Sequence, residues 1–156
     1  VFGLNIAYHD LKPFGDVTYR PYRSPVELAE ASDILLVACE GGTATRGLVD
    51  ADVLKALGPN GYLINTARGP IVDQAAMITA LQNGVIAGAA LDVLDGEPEV
   101  PAELLALENV ILTPHIASST IETRHAMADL VRDNLDAYFA GNPVLTPVPP
   151  HLVGAA

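Results

Sequence analysis

Three residues of different chemistry stand apart in this chain: Arg68, Glu97 and His115. Each closely follows an apolar stretch. Arg68 comes after Tyr62-Leu63-Ile64-Asn65, Glu97 after the apolar run over 86–93, and His115 after Asn109-Val110-Ile111-Leu112-Thr113. The planar fork of an arginine grips a carboxylate with two parallel hydrogen bonds and stays charged at any working pH. A histidine gives or takes a proton near neutrality, and a glutamate beside it favours the imidazolium form and orients the ring. Carboxylate anchor, proton donor and orienter form the set that reduction of a 2-oxo acid requires. As hydride arrives the oxo oxygen becomes an alkoxide, which a protonated imidazole neutralises. Taken singly, each residue also has an ordinary reading: Arg68 as a surface arginine, Glu97 as a solvated acid in a Gly-Glu-Pro turn, His115 as a structural histidine.

The case for the set rests on the elements that must position it. Ser24-Pro25-Val26-Glu27 is a capping box with proline at the first helical position. Asp50 caps a helix over Ala51–Leu57 that Gly58-Pro59-Asn60-Gly61 ends, and Asp73 opens another to about Asn83, with Gly84 as its stop. Ser119-Thr120-Ile121-Glu122 is a second capping box, opening a long helix to about Ala140. Between these helices lie Leu4-Asn5-Ile6-Ala7-Tyr8, Ile34-Leu35-Leu36-Val37-Ala38, Tyr62-Leu63-Ile64-Asn65, the 86–93 run and the strand at 109–113. The wholly apolar run Ile34-Leu35-Leu36-Val37-Ala38 suits a strand buried on both faces. The alternation predicts an α/β fold with a parallel, doubly wound sheet, against the alternative of an α+β mixture. In such a sheet all strand carboxyl ends share one edge, where ligands bind. Arg68, Glu97 and His115 then converge on one rim, together with Cys39-Glu40-Gly41-Gly42-Thr43 and Thr66-Ala67.

Composition narrows the classes of function. Half the residues are apolar and 17% are charged, which suits a packed core rather than disorder. A net charge of −11 repels phosphate backbones and anionic membranes, so neither nucleic acid nor membrane is an expected partner. No apolar run reaches the ~18 residues of a membrane span, and the first residues lack the basic start of a secretory signal. The single cysteine, Cys39, allows no internal disulfide and fits a reducing, cytoplasmic setting. The four histidines are too scattered for a metal site, so no metal is expected. His125 falls within a helix and is expected on the surface, and nothing near Cys39 suggests an activated thiol. The proline-rich segment after Pro143 reads as a tail.

The runs Asn65-Thr66-Ala67-Arg68-Gly69-Pro70-Ile71-Val72-Asp73, Gly88-Ala89-Ala90-Leu91-Asp92-Val93, Glu97-Pro98 and Leu112-Thr113-Pro114-His115-Ile116-Ala117-Ser118 resemble the D-isomer-specific 2-hydroxyacid dehydrogenases. Their order and spacing match over residues 1–147. The resemblance implies a Rossmann-like cofactor domain, with Arg68 as substrate-carboxylate binder, His115 as general acid/base and Glu97 as its partner. It also implies cofactor contacts from His9, Asp10, Cys39, Glu40, Thr45, Thr66, Ala67, Arg68, Asp92, His115, Ala117 and Ser118, with Asp92 near the nicotinamide carboxamide. The formate dehydrogenase branch carries glutamine where Glu97 stands, which argues against formate oxidation. Tyr8-His9-Asp10 and Gly41-Gly42-Thr43-Ala44-Thr45-Arg46-Gly47 look closest to glyoxylate/hydroxypyruvate reductases. A small 2-oxo acid is the substrate this implies, and a homodimer through the cofactor domain is the implied assembly.

An acid at the end of the first visible strand selects NAD through the adenosine ribose, whereas a basic residue there accommodates the phosphate of NADP. Asp10 leans the reading to NAD. Lys12 keeps NADP open, and Glu40 stands where relatives usually have proline. The glycine loop G-x-G-x-x-G, which holds the pyrophosphate, is absent. Relatives carry it just upstream of the segment resembling Val1-Phe2-Gly3-Leu4, after a substrate-binding domain. The expectation is therefore a C-terminal half, with residues 1–147 a partial cofactor domain and 148–156 a tail. Lacking the central strand, its sheet should fall into two parts. Two other functions stay open: a nucleotide-sensing binding protein resembling the C-terminal-binding-protein corepressors, and an inactive fragment. The stripe Met127, Leu130, Val131 and Leu135 reads as packing on the chain's own sheet.

Overall fold

The computed structural model describes residues 3–11, 15 and 17–149; the expected tail beyond 149 and the residue Lys12 lie outside them. The chain divides into two compact units, Val1–His115 and Ile116–Ala156.

The first unit is α/β with two separate parallel sheets. β1 (Ala7–Tyr8) pairs with β2 (Arg20–Pro21), while β3 (Ile34–Val37), β4 (Tyr62–Asn65), β5 (Gly88–Leu91) and β6 (Val110–Leu112) lie side by side in chain order. Leu36 pairs with Ile64, Ile64 with Ala90, and Ala90 with Ile111. The strands thus fall into two sheets, as the sequence led one to expect.

Local chemistry sets the helices. In α1 (Pro25–Glu30) the Ser24 hydroxyl accepts from the Glu27 N–H, while the Glu27 carboxylate reaches back to the Arg23 N–H. Asp50 caps α2 (Ala51–Leu57) by accepting from Asp52 and Val53, and Gly58, at φ 77°, ends it. Asp73 caps α3 (Gln74–Gln82) by accepting from Ala76. Each such cap is worth about 1 kcal/mol. A short α4 (Ala102–Leu105) and the two-residue β2 carry no signal in the sequence; Pro101 opens α4 with no side-chain cap.

One sheet face makes the core. Leu35, Val37, Leu63, Ala89 and Leu91 join Val53, Leu54 and Leu57 of α2 and Met77, Ala80 and Leu81 of α3 in one buried cluster. Fully burying such a side chain contributes about 1.5–3 kcal/mol. Side chains alternate across a strand, so Ile34, Leu36, Tyr62 and Ile111 point the other way, and all four are exposed. The expectation of strands buried on both faces is thus met on one face only. The reason lies in the arrangement: α1, α2 and α3 all contribute to the cluster on the same side.

The second unit holds α5 (Ile121–Phe139), whose N-cap is Thr120 rather than Ser119. The Thr120 hydroxyl accepts from the Thr123 N–H, while the Ser119 hydroxyl takes the Arg124 guanidinium. Asn134 holds Thr146 by both its amide nitrogen and its oxygen, tying the segment after α5 back to the helix. α5 buries none of its residues: Met127, Leu130, Val131 and Leu135, expected to be covered, are exposed, as is His125.

Candidate active site

β4 ends in Asn65, a polar residue only 1% exposed. Its carboxamide holds the turn that follows: Nδ2 donates to the Arg68 carbonyl at 3.0 Å and Oδ1 accepts from the Ala67 N–H at 3.1 Å. The turn is thereby fixed, with Arg68 exposed at its tip and Thr66 exposed before it. The Arg68 guanidinium donates to the Ala67 carbonyl at 2.6 Å, and its stem runs past Gly41, where a Cβ would stand 2.7 Å from Arg68 Cγ. Asn65 opens the motif in the sequence, but its positioning role follows only from this geometry.

β5 leads to Asp92, which is 6% exposed. Its carboxylate accepts from the Thr113 hydroxyl at 2.5 Å, and its carbonyl accepts from the His115 N–H at 3.0 Å. Asp92 thus joins the ends of β5 and β6. His115 has φ 53°, the left-handed region that side chains other than glycine and asparagine seldom occupy. Such a conformation costs about 1–3 kcal/mol and persists where its surroundings hold it.

The next turn brings Glu97 to His115. Glu97 Oε2 lies 2.8 Å from His115 Nδ1, and Oε1 accepts from the Leu94 N–H at 2.8 Å. The His115 hydrogen bond first, and the Leu94 N–H second, hold the Glu97 carboxyl below its ordinary value, against the charge of Asp92. The pair is open to solvent, with His115 half exposed. Two of the three residues singled out in the sequence are therefore in contact. Arg68 connects to them through Gly69, whose backbone packs on the Leu94–Asp95 peptide.

The remaining expected contacts sit on other strand ends. His9 and Asp10 follow β1, and His9 Nδ1 is 3.0 Å from the Tyr22 carbonyl, which orients its ring. After β3, the Thr45 hydroxyl donates to the Glu40 carbonyl at 2.8 Å and closes the 40–45 loop, with the Glu40 side chain exposed. Burial pushes the Cys39 thiol up, with the charge of Asp10 adding to it, which favours its protonated form. Ala117 and Ser118 begin the second unit, where both are exposed. Among the described residues no group of three or more His, Cys, Asp or Glu is placed to hold a metal ion, and no helix is long and apolar enough to cross a membrane.

A nicotinamide dinucleotide fits the donor set that these strand ends present: a carboxylate after β1, backbone and hydroxyl groups after β3 and β4, and the buried Asp92 carboxylate after β5. The profile of the D-isomer specific 2-hydroxyacid dehydrogenase NAD binding domain matches residues 1–117. A glyoxylate/hydroxypyruvate reductase A of Arabidopsis thaliana is 53% identical over 145 residues, 93% of this chain and 46% of that protein. A hydroxyphenylpyruvate reductase of Plectranthus scutellarioides is 50% identical over 147 residues, 94% of this chain and 47% of that protein. The crystal structure of an NADPH-dependent glyoxylate/hydroxypyruvate reductase from Sinorhizobium meliloti, in complex with NADP and malonate, superposes with a TM-score of 0.91 at 52% identity. It covers 94% of this chain and 46% of its own. The chain thus spans about half the length of these relatives. With its Rossmann-like parallel sheet, the matched profile and relatives of this identity, the chain belongs to the D-isomer-specific 2-hydroxyacid dehydrogenases.

Proposed function

We propose that the complete protein reduces a small 2-oxo acid of the glyoxylate or hydroxypyruvate type to its D-2-hydroxy acid. The observation that carries the reading is the 2.8 Å contact between Glu97 and His115, at the strand ends that also present Arg68. With the Glu97 carboxylate as acceptor, His115 Nδ1 carries a proton and Nε2 is the nitrogen that exchanges one with substrate. Arg68 binds the substrate carboxylate by its fork and so orients the neighbouring oxo carbon. His115 then gives its proton to the oxo oxygen as charge develops there, and Glu97 stabilises the imidazolium until that moment. In the reverse direction His115 takes the proton from the alcohol.

A bound nicotinamide cofactor supplies or accepts the hydride. In this reading Thr66, Ala67 and Asp92 would hold its nicotinamide end, and His9, Asp10, Cys39, Glu40 and Thr45 its adenosine end. The exposed Asp10 carboxylate favours the unphosphorylated ribose of NAD, whereas the S. meliloti relative is described as NADPH-dependent. The proposal extends to residues 1–147 as part of a cofactor domain, to a homodimer through that domain and to a cytoplasmic location. The test is oxidation of NADH and of NADPH by the complete protein with glyoxylate and with hydroxypyruvate. Turnover with either acid supports the reading, and no turnover with any pair overturns it.

A further inference from the structure

Glu97 sits on a loop that has little of its own to hold it. Residues 94–97 run through Gly96 at φ 91°, and the Asp95 side chain meets Arg46 at 3.5 Å with both groups largely in water. An exposed pair of that kind contributes at most about 1 kcal/mol. Besides the Gly69 backbone packed on Leu94, the loop is held by the side chain of Gln74, 21 residues earlier. Its Oε1 accepts from the Asp95 N–H at 3.1 Å and its Nε2 donates to the Asp95 carbonyl at 3.3 Å. The carboxamide therefore pairs with both polar groups of one backbone residue, as a neighbouring strand would. Gln74 is half-buried and is the first residue of α3, anchored by the Asp73 cap on one side and buried Met77 on the other. A rigid helix start thus reaches the loop two residues before the catalytic carboxylate.

We infer that Gln74 is a positioning residue for the Glu97–His115 pair, fixing the 94–97 loop through the backbone of Asp95. The inference rests on the function proposed above and goes beyond it, since Gln74 lies outside the set expected to touch substrate or cofactor. The two hydrogen bonds hold the peptides on either side of Asp95, Leu94–Asp95 by its N–H and Asp95–Gly96 by its carbonyl, where one bond would leave the other peptide free to turn. With both peptides fixed, the chain path from Leu94 to Glu97 is set, so the Leu94 N–H stays aimed at Glu97 Oε1 and Oε2 stays on His115. Without it, Glu97 loses one of its two donors and the imidazole loses its fixed orientation. The charged groups acting on Glu97 are His115 and Asp92, and neither is altered by a change at position 74.

The experiment compares Gln74→Ala and Gln74→Glu with the parent in the complete protein. Alanine is a good helix former, so α3 itself is not weakened. Three quantities are read: kcat and KM across pH with glyoxylate, titration of the Glu97 carboxyl by carbon NMR, and thermal midpoint. For Gln74→Ala the expected result is a fall of about tenfold in kcat with KM within about twofold, because a misplaced acid/base costs rate rather than binding. The Glu97 titration and the acid limb of kcat both move to higher pH. Gln74→Glu keeps an oxygen for the Asp95 N–H but loses the donor to the Asp95 carbonyl and adds a negative charge, so kcat falls at least as far as in Gln74→Ala and the Glu97 titration moves further up. A lowered thermal midpoint with kcat, acid limb and Glu97 titration all unchanged overturns the inference and leaves Gln74 structural. Should the parent itself turn over neither acid, the functional reading fails and the Glu97 titration alone decides: an upward shift in Gln74→Ala supports positioning, an unchanged one overturns it. Should Gln74→Ala not fold, Gln74→Asn, one methylene too short to span both Asp95 groups, is read against the same criteria.

Discussion

Gly69 packs so tightly on the carbonyl of Leu94 that no side chain fits between them. The contact joins the turn that carries Arg68 to the loop that carries Glu97, two segments separated by a whole helix and a strand. Gly69 is 3.1 Å from the Val72 N–H through its own carbonyl, so its turn is closed and has little room to retreat.

Gly69→Ala is expected to destabilise by about 1–3 kcal/mol, the range for forcing a methyl group into a packed site. The cause is steric, because Gly69 is not in the left-handed region. Chemical denaturation measures the loss. A parallel fall in kcat is expected, since relief of the overlap moves the Leu94–Asp95 peptide away from the site.

His115→Asn separates chemistry from conformation. Asparagine tolerates the left-handed backbone found at position 115, so stability should stay within about 1 kcal/mol of the parent. It cannot exchange the proton, and kcat should fall about 10²- to 10⁴-fold. His115→Val should lose the same activity and unfold more readily, because a β-branched side chain resists φ 53°. Paired denaturation curves and turnover assays distinguish the two variants.

The Glu97–His115 contact makes stability depend on pH in one direction. The folded Glu97 carboxyl lies below its ordinary value of 4.5, so its contribution is fully present above that value. It is lost as pH falls through the lower folded value. Urea midpoints of the parent and of Glu97→Gln, compared from neutrality downward, should therefore converge below pH 4.5. A constant gap across that window would rule out the linkage.

Arg68→Ala should raise KM for the 2-oxo acid about 100-fold, the effect of removing one partner from a hydrogen-bonded charge pair. kcat at saturation should change far less, because Arg68 holds substrate in ground and transition states alike. Arg68→Lys should recover only part of the loss, since an ammonium group lacks the fork. Steady-state kinetics over a wide substrate range gives both parameters.

The helices were legible where their determinants are local. Ser24, Asp50 and Asp73 cap at the positions read from the sequence, because a cap needs only an oxygen three residues from an N–H. The same pattern fails at α5, where Ser119 and Thr120 both qualify and only the backbone geometry selects Thr120. β2 was not legible, since two residues ending in proline show no periodicity. The apolar run at β3 also misled, because Ile34 and Leu36 are as apolar as Leu35 and Val37 and yet face solvent.

For the site, the sequence by itself determined the residue types and the edge on which they gather. Arginine, glutamate and histidine each follow a parallel strand, and in a parallel sheet all such ends meet on one side. Only the tertiary structure decided which of them touch. It joined Glu97 to His115, turned His115 into the left-handed region against the Asp92 carbonyl, and set Gln74 against a peptide 21 residues away. Spacing along a chain carries the direction of a strand and the start of a helix, both properties of a few neighbouring residues. Hydrogen bonds between loops depend on how separate turns are packed together, and that packing has no signature in any one segment.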